Sequence, residues 1–261
     1  MYRRSTCWVP TPVTSRQHLK PRLRWPTPQA SGLLTTRWRP ILDRVVKIDV
    51  PRMRTVVVVP HPDDETLSTA AILHQQAARG QEIVVVAVTD GEAAYPVQGL
   101  AERRRREQVR ALAELGVPVT ALRRLGLPDG DVASHHAQVV DEISALIDQD
   151  TLLVAPWTGD HHCDHEACGR AAAEAADSVS AKLLFGLFWA WHHCAPADLA
   201  LEPLVGVALS EAARACRTRA IRAHATQLTT AVAPDPVLTA GELETLDWPA
   251  EYFVDPNREF Q

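Results

Sequence analysis

Residues 61–65 read His-Pro-Asp-Asp-Glu, and residues 162–165 read His-Cys-Asp-His. Imidazoles and carboxylates crowded into short loops are the donors that divalent cations take, and such charges are costly to hold beside a packed core without a compensating ion. Pro62 stiffens the first turn and removes one backbone donor, so His61 and Asp64, three residues apart, can converge on one point while Asp63 faces elsewhere. Two ligands fall short of the three plus a water that a catalytic zinc takes, so a third is expected downstream. The second cluster, His162, Asp164 and His165, is the best source of it, and the expected ligand set is His61, Asp64 and His165. Two imidazoles and one carboxylate suit a hydrolytic site better than a structural one.

Each cluster follows an apolar run. Residues 55–60 are nearly all valine, as befits a strand buried on both faces, and 151–155 form a similar run. Further runs at 82–89, 119–125 and 182–188 alternate with helical stretches at about 66–79, 99–116, 136–149 and 165–178. Strand then helix, repeated, implies parallel pairing with right-handed crossovers. The expected fold class is α/β, a Rossmann-like three-layer α/β/α sandwich with a mainly parallel sheet, both clusters lying at carboxyl ends of strands where such sheets bind ligands. A last helix at about 211–226 starts behind Ser210, a good N-cap, and the segment from Ala233 reads as an irregular tail closing over the pocket. No glycine-rich phosphate loop follows the first strand, which excludes dinucleotide and P-loop nucleotide binding there.

These motifs resemble the zinc-dependent N-deacetylases of the LmbE-like, or PIG-L, family, whose hallmarks are a (P/A)HPDDE loop and a later HxDH. Weaker echoes are Thr89-Asp90-Gly91-Glu92, the helix bearing Arg104 and Glu107, Leu127-Pro128-Asp129-Gly130 and the segment around His224, so the likeness spans roughly residues 54–228. The resemblance implies one Zn2+ per chain, or another divalent ion, on His61, Asp64 and His165. It implies Asp63 as general base, His162 as support for the oxyanion, and Asp164 as the carboxylate orienting one imidazole. It also points to Arg104, Glu92, Asp160 and His224 as substrate contacts, although Asp160 stands where some relatives carry a tyrosine. The implied activity is removal of an N-acetyl or N-acyl group from an amino-sugar-containing small molecule. The alternatives are an amidase of sugar-thiol conjugates and a non-catalytic sugar-binding relic of the fold.

Composition fits such an enzyme: 261 residues, 46% hydrophobic, are enough for one full core. Charge is uneven, with twelve Lys/Arg and two acids in residues 1–54 and an acidic remainder, which argues against a nucleic-acid-binding body. Residues 1–53 are expected to form a basic Pro/Arg-rich extension, partly disordered, and 54–261 a single catalytic domain. No apolar stretch is long enough for a membrane span or a signal peptide. Five cysteines without a CxxC pair suggest reduced thiols and a cytoplasmic protein. The expected partner is the amino-sugar substrate, with a homo-oligomer possible. Trp157, Trp189 and Trp191 are candidates for stacking on a sugar, or for core packing.

Overall fold

The computed structural model of the chain describes residues 32–258. The valine runs form its centre. Strand β2 (Arg54–Val59) pairs in parallel with β3 (Ile83–Thr89), Val57 opposite Val85, and on its other side with β5 (Thr151–Pro156), Val56 opposite Leu153. Val56 and Val58 of β2 enter one core, Val57 and Val59 the other. Because successive side chains face opposite layers and both layers are dry, the strand is written as an unbroken apolar run. β4 (Leu122–Leu127) and β6 (Lys182–Gly186) extend the parallel sheet outward. With β1 (Val46–Lys47), β7 (Leu204–Ala208) and β8 (Ala250–Val254), the strand order is β1-β7-β8-β6-β5-β2-β3-β4.

The helices are α1 (Leu33–Leu42), α2 (Asp64–Leu67), α3 (Ala70–Ala78), α4 (Leu100–Glu114), α5 (His136–Ser144), α6 (Cys163–Val179), α7 (Trp189–His193), α8 (Pro196–Leu199), α9 (Glu211–Ala223) and α10 (Ala225–Leu228). Side chains of α1, α5 and α6 pack on one face of the sheet and those of α3, α4 and α9 on the other, giving the expected three layers. Helix α4 turns Arg104, Glu107, Gln108, Ala111 and Leu112 inward, a three-four spacing that carries polar groups toward the sheet's carboxyl edge. Ser210 Oγ accepts from Ala213 N at the start of α9, as its position suggested.

From β2 the chain runs to β3 and β4 on one side, then crosses to β5 and β6 on the other. The direction reverses between β2 and β5, and the two motif loops leave the carboxyl ends of these neighbours. That is the crevice in which open α/β sheets bind ligands.

Two expectations fail. The C-terminal tail is not irregular throughout: β8 inserts antiparallel between β6 and β7, Phe253 opposite both Gly186 and Val205. Five residues without a following helix give no strand-helix signal, and the slot they fill exists only once β6 and β7 are in place. The second is the boundary placed between residues 53 and 54; residues 1–31 of the basic extension, and the disorder expected of it, lie outside the described residues. Its remainder packs on the body: Trp38 in α1 is fully buried with its Nε1 donating to Trp191 O at 2.8 Å, and β1 pairs with β7. Arginines on the outer side of α1 hid the inward Trp38 and Leu42 from a reading by composition.

Candidate active site

Asp64 sits between two imidazoles. His61 Nδ1 is 3.3 Å from Asp64 Oδ2, and His165 Nε2 is 3.3 Å from Asp64 Oδ1. The far nitrogen of each ring meets another carboxylate: His61 Nε2 lies 3.2 Å from Asp164 Oδ2 and 3.1 Å from Asp129 Oδ1, and His165 Nδ1 lies 2.7 Å from Asp160 Oδ2. Those carboxylates are themselves fixed. Asp164 accepts from Gly130 N and Val132 N, at 2.8 and 3.2 Å, and Asp160 Oδ1 accepts from Phe188 N and Ala190 N at 3.0 and 2.9 Å. A carboxylate behind each imidazole sets its tautomer and aim, the arrangement that metal-ligating histidines take. His165 Nε2 is buried and has no hydrogen-bond partner among the described residues, so a cation would satisfy an otherwise orphaned donor atom. Ring nitrogens of His61, His162 and His165 all lie within 4.8 Å of one another.

The electrostatics agree. Burial alone would lower the pKa of His61, but Asp129, Asp164 and Asp64 outweigh it and hold the imidazole well above its ordinary value. His165 is likewise pushed up, to about 9, because Asp64 and Asp160 overcome burial. Burial opposes ionisation of Asp64, yet the two imidazoles keep its carboxyl well below the usual range. The pocket floor is a nest of negative charge that wants a positive partner.

Asp63 stands beside this cluster at φ 141°, a backbone conformation that a side-chain-bearing residue adopts only when its surroundings impose it. Two neighbours do so. Asp63 N donates to Glu65 Oε2 at 3.2 Å, and Arg104 reaches Asp63 Oδ2 at 3.3 Å while donating to Pro62 O and Gly91 O. A Cβ on Gly91, itself at φ 63°, would lie 1.9 Å from Arg104 Nη1, so only glycine admits that guanidinium. Behind them, His224 Nε2 is 3.1 Å from Glu65 Oε1, both residues fully buried, and Gln108 donates to Glu65 Oε2. Burial pushes Asp63 up to about 7, with Arg104 opposing the shift and Asp64 adding to it. A carboxylate near neutrality is what a general base requires.

His162 is the N-cap of α6, its Nδ1 accepting from Asp164 N at 3.3 Å. Burial and the neighbouring imidazoles His61 and His165 lower its pKa to about 3. With Nδ1 engaged as an acceptor, the hydrogen of the neutral ring belongs on Nε2.

The expected substrate contacts divide. Arg104 lines the cleft, but its guanidinium is committed to Asp63 and two carbonyls. Glu92 is exposed and accepts from Asp129 N at 3.0 Å, bracing the loop beside the cleft. Asp160 and His224 are corrections. Both are completely buried, Asp160 behind His165 and His224 behind Glu65, and neither lines the cleft. Asp160 was assigned by its place before the second motif, but the first backbone amides of α7 converge on it and draw it inward. Asp129, expected near the pocket from its place in the loop after β4, lines the cleft and reaches His61 Nε2.

Among the described residues Cys168, Cys194 and Cys216 are free thiols. Of the tryptophans, Trp191 is buried against Trp38, Trp248 and Tyr252, Trp157 packs on the core, and Trp189 lines the cleft. No helix among the described residues is long and apolar enough to cross a membrane.

Comparison with known proteins yields one consistent answer. Residues 56–176 match the model of the PIG-L family, described as GlcNAc-PI de-N-acetylase. Two relatives are named 1D-myo-inositol 2-acetamido-2-deoxy-alpha-D-glucopyranoside deacetylase. That of Corynebacterium diphtheriae is 27% identical over 231 residues, covering 69% of this chain and 78% of the relative. That of Mycolicibacterium gilvum is 28% identical over 243 residues, covering 72% and 84%. Among solved structures, the antimicrobial reagent A40926 pseudoaglycone deacetylase superposes with a TM-score of 0.61 at 25% identity, over 78% of this chain and 97% of that one. The segment of residues 56–176 that matches the PIG-L family model contains both motif loops and all four carboxylates that surround the imidazoles, Asp64, Asp129, Asp160 and Asp164.

Proposed function

We propose that the chain is a zinc-dependent amidohydrolase that removes the N-acetyl group of an amino-sugar glycoside. The observation that carries this reading is the pair of buried imidazoles, each fixed from behind by its own carboxylate and each aimed at Asp64. His61 Nδ1, Asp64 and His165 Nε2 would hold the ion, and two nitrogens with one carboxylate form a donor set suited to catalytic zinc. When bound, zinc supplies an acidified water and polarises an amide carbonyl.

The remaining chemistry belongs to this chain's own side chains. Asp63 accepts the proton of the attacking water, and its pKa of about 7 balances availability against basicity. Arg104 and the Glu65 contact keep that carboxylate in place at the cost of a strained backbone. His162 acts as a neutral N–H donor to the developing oxyanion, because burial and two neighbouring imidazoles disfavour the charged ring. The leaving amine then takes its proton from Asp63. The glycosidic 2-acetamido sugar is the substrate class that the relatives' names support, since both act on such a compound.

Acetate release from a panel of 2-acetamido-2-deoxyglucosides, with and without chelator, tests the reading. Release that chelator abolishes and zinc restores is the expected result. Silence of the zinc-loaded protein across the panel would overturn it and leave a sugar-binding relic of the fold.

A further inference from the structure

The cleft over Asp64 encloses about 380 Å³, within the ~300–1,000 Å³ that surrounds a drug-sized ligand and far more than an acetyl group needs. Its lining is of two kinds. One is the imidazole-carboxylate cluster with Asp129. The other is an apolar wall of Leu67, Val237, Leu238 and the face of Trp189, with Gln227 and His193 also on the lining. Leu67 and Leu238 are buried members of a small hydrophobic cluster with Phe188, Ile221 and Leu228, against which Trp189 and Val237 also pack. The apolar wall is therefore backed by core and preformed. Trp189 is half-buried and stands between two imidazoles, nearly parallel to both: His162 at 6.4 Å and 22°, and His193 at 5.9 Å and 25°. The loop bearing Val237 is pinned over the site by Tyr95 Oη donating to Asp235 O at 2.6 Å and Leu238 N donating to Gln227 O at 3.0 Å.

Charge narrows the choice of ligand. Arg104 is the one Lys or Arg among the described lining residues, and it is spent on Asp63 and two carbonyls. Among the described lining residues no guanidinium or ammonium is left to receive a phosphate. We infer that this apolar wall is a specificity subsite for an uncharged apolar substituent on the amino sugar, with Trp189, Leu67, Val237 and Leu238 as the residues that select it. The inference rests on the deacylase reading and adds the class of substrate within it. The substituent is borne either by the aglycone or by the N-acyl group, and the two sources are separable by experiment.

The zinc-loaded enzyme is assayed on methyl and hexyl 2-acetamido-2-deoxyglucosides, and on the N-acetyl and N-hexanoyl forms of the methyl glucoside. One six-carbon series should exceed its one- or two-carbon counterpart by roughly 10- to 100-fold in kcat/KM, mostly through KM, as expected for burying several methylenes. The series that responds identifies the source. Trp189→Ala and Val237→Ser should each bring that ratio down toward one. Binding of the corresponding products, hexyl against methyl glucosaminide and hexanoate against acetate, is measured by calorimetry on the same enzyme. Ratios near one in both product pairs and both substrate series, or a ratio left intact by both variants, would overturn the inference. Selective product binding without any hydrolysis would instead sink the deacylase reading and leave the subsite standing.

Discussion

The loops that follow β2 and β5 supply the same kinds of side chain to one point, yet they are held in opposite ways. After β5, support is local: Asp160 orients His165 five residues on, and His162 caps the helix it begins. After β2, support is remote: the strained Asp63 is fixed by Arg104 of α4, and Glu65 beside it is met by Gln108 of α4 and by His224, more than 150 residues away. In the proposed reading both loops give ligands, His165 from the local one and His61 and Asp64 from the remote one, whose geometry the ion itself can help to set. The remote loop alone also gives the base, whose position nothing but protein can set. Strain at a base is tolerable because the surrounding structure over-determines it.

The sharpest way to break this contrast is to remove one member from each loop. Asp63→Asn should keep zinc at one per chain by elemental analysis and lose about 10²–10⁴-fold in kcat, whereas His165→Ala should lose the metal itself. Near-normal turnover in the first variant would end the division between base and ligand. Next in size, Asp160→Asn should weaken zinc binding by about 10–100-fold in a competitive chelator titration while the zinc-saturated enzyme keeps most of its kcat. A variant that bound zinc as tightly as the parent would show that His165 needs no carboxylate behind it.

The complementary change on the remote side is smaller. His224→Ala should lower kcat by about 10-fold, since leaving Glu65 Oε1 buried without its partner costs about 1–3 kcal/mol and loosens Asp63, with zinc stoichiometry unchanged. His224→Gln, which can still donate to Glu65, should recover much of it. Equal losses of metal and turnover would place His224 on the ligand side of the comparison. The two sides should also differ in their pH responses. Zinc competes with a proton at His165, whose pKa lies at about 9, so affinity should rise as pH approaches that value. Turnover requires ionised Asp63, so kcat/KM at saturating zinc should rise with pH. Its midpoint should lie below about 7, because the cation's charge favours the carboxylate. A pH-rate profile flat across that limb would remove Asp63 from the base role.

The sequence alone determined the central sheet and which histidines and aspartates to look for at its carboxyl edge. Valine runs followed by histidine-aspartate loops can be read directly, because a strand buried on both faces has one pattern and a cation has few donors, and both signals are local. Only the tertiary structure decided what stands behind those donors and what stands over them. Asp160 and His224 looked like substrate contacts by position, and it is the packing of α7 and α9 that turns them into supports. β8, the docking of α1 and the apolar wall from Leu67 to Leu238 likewise join segments far apart in the chain. Such pairings depend on which surfaces remain open after the sheet has formed, a property of the assembled layers that no stretch of residues carries by itself.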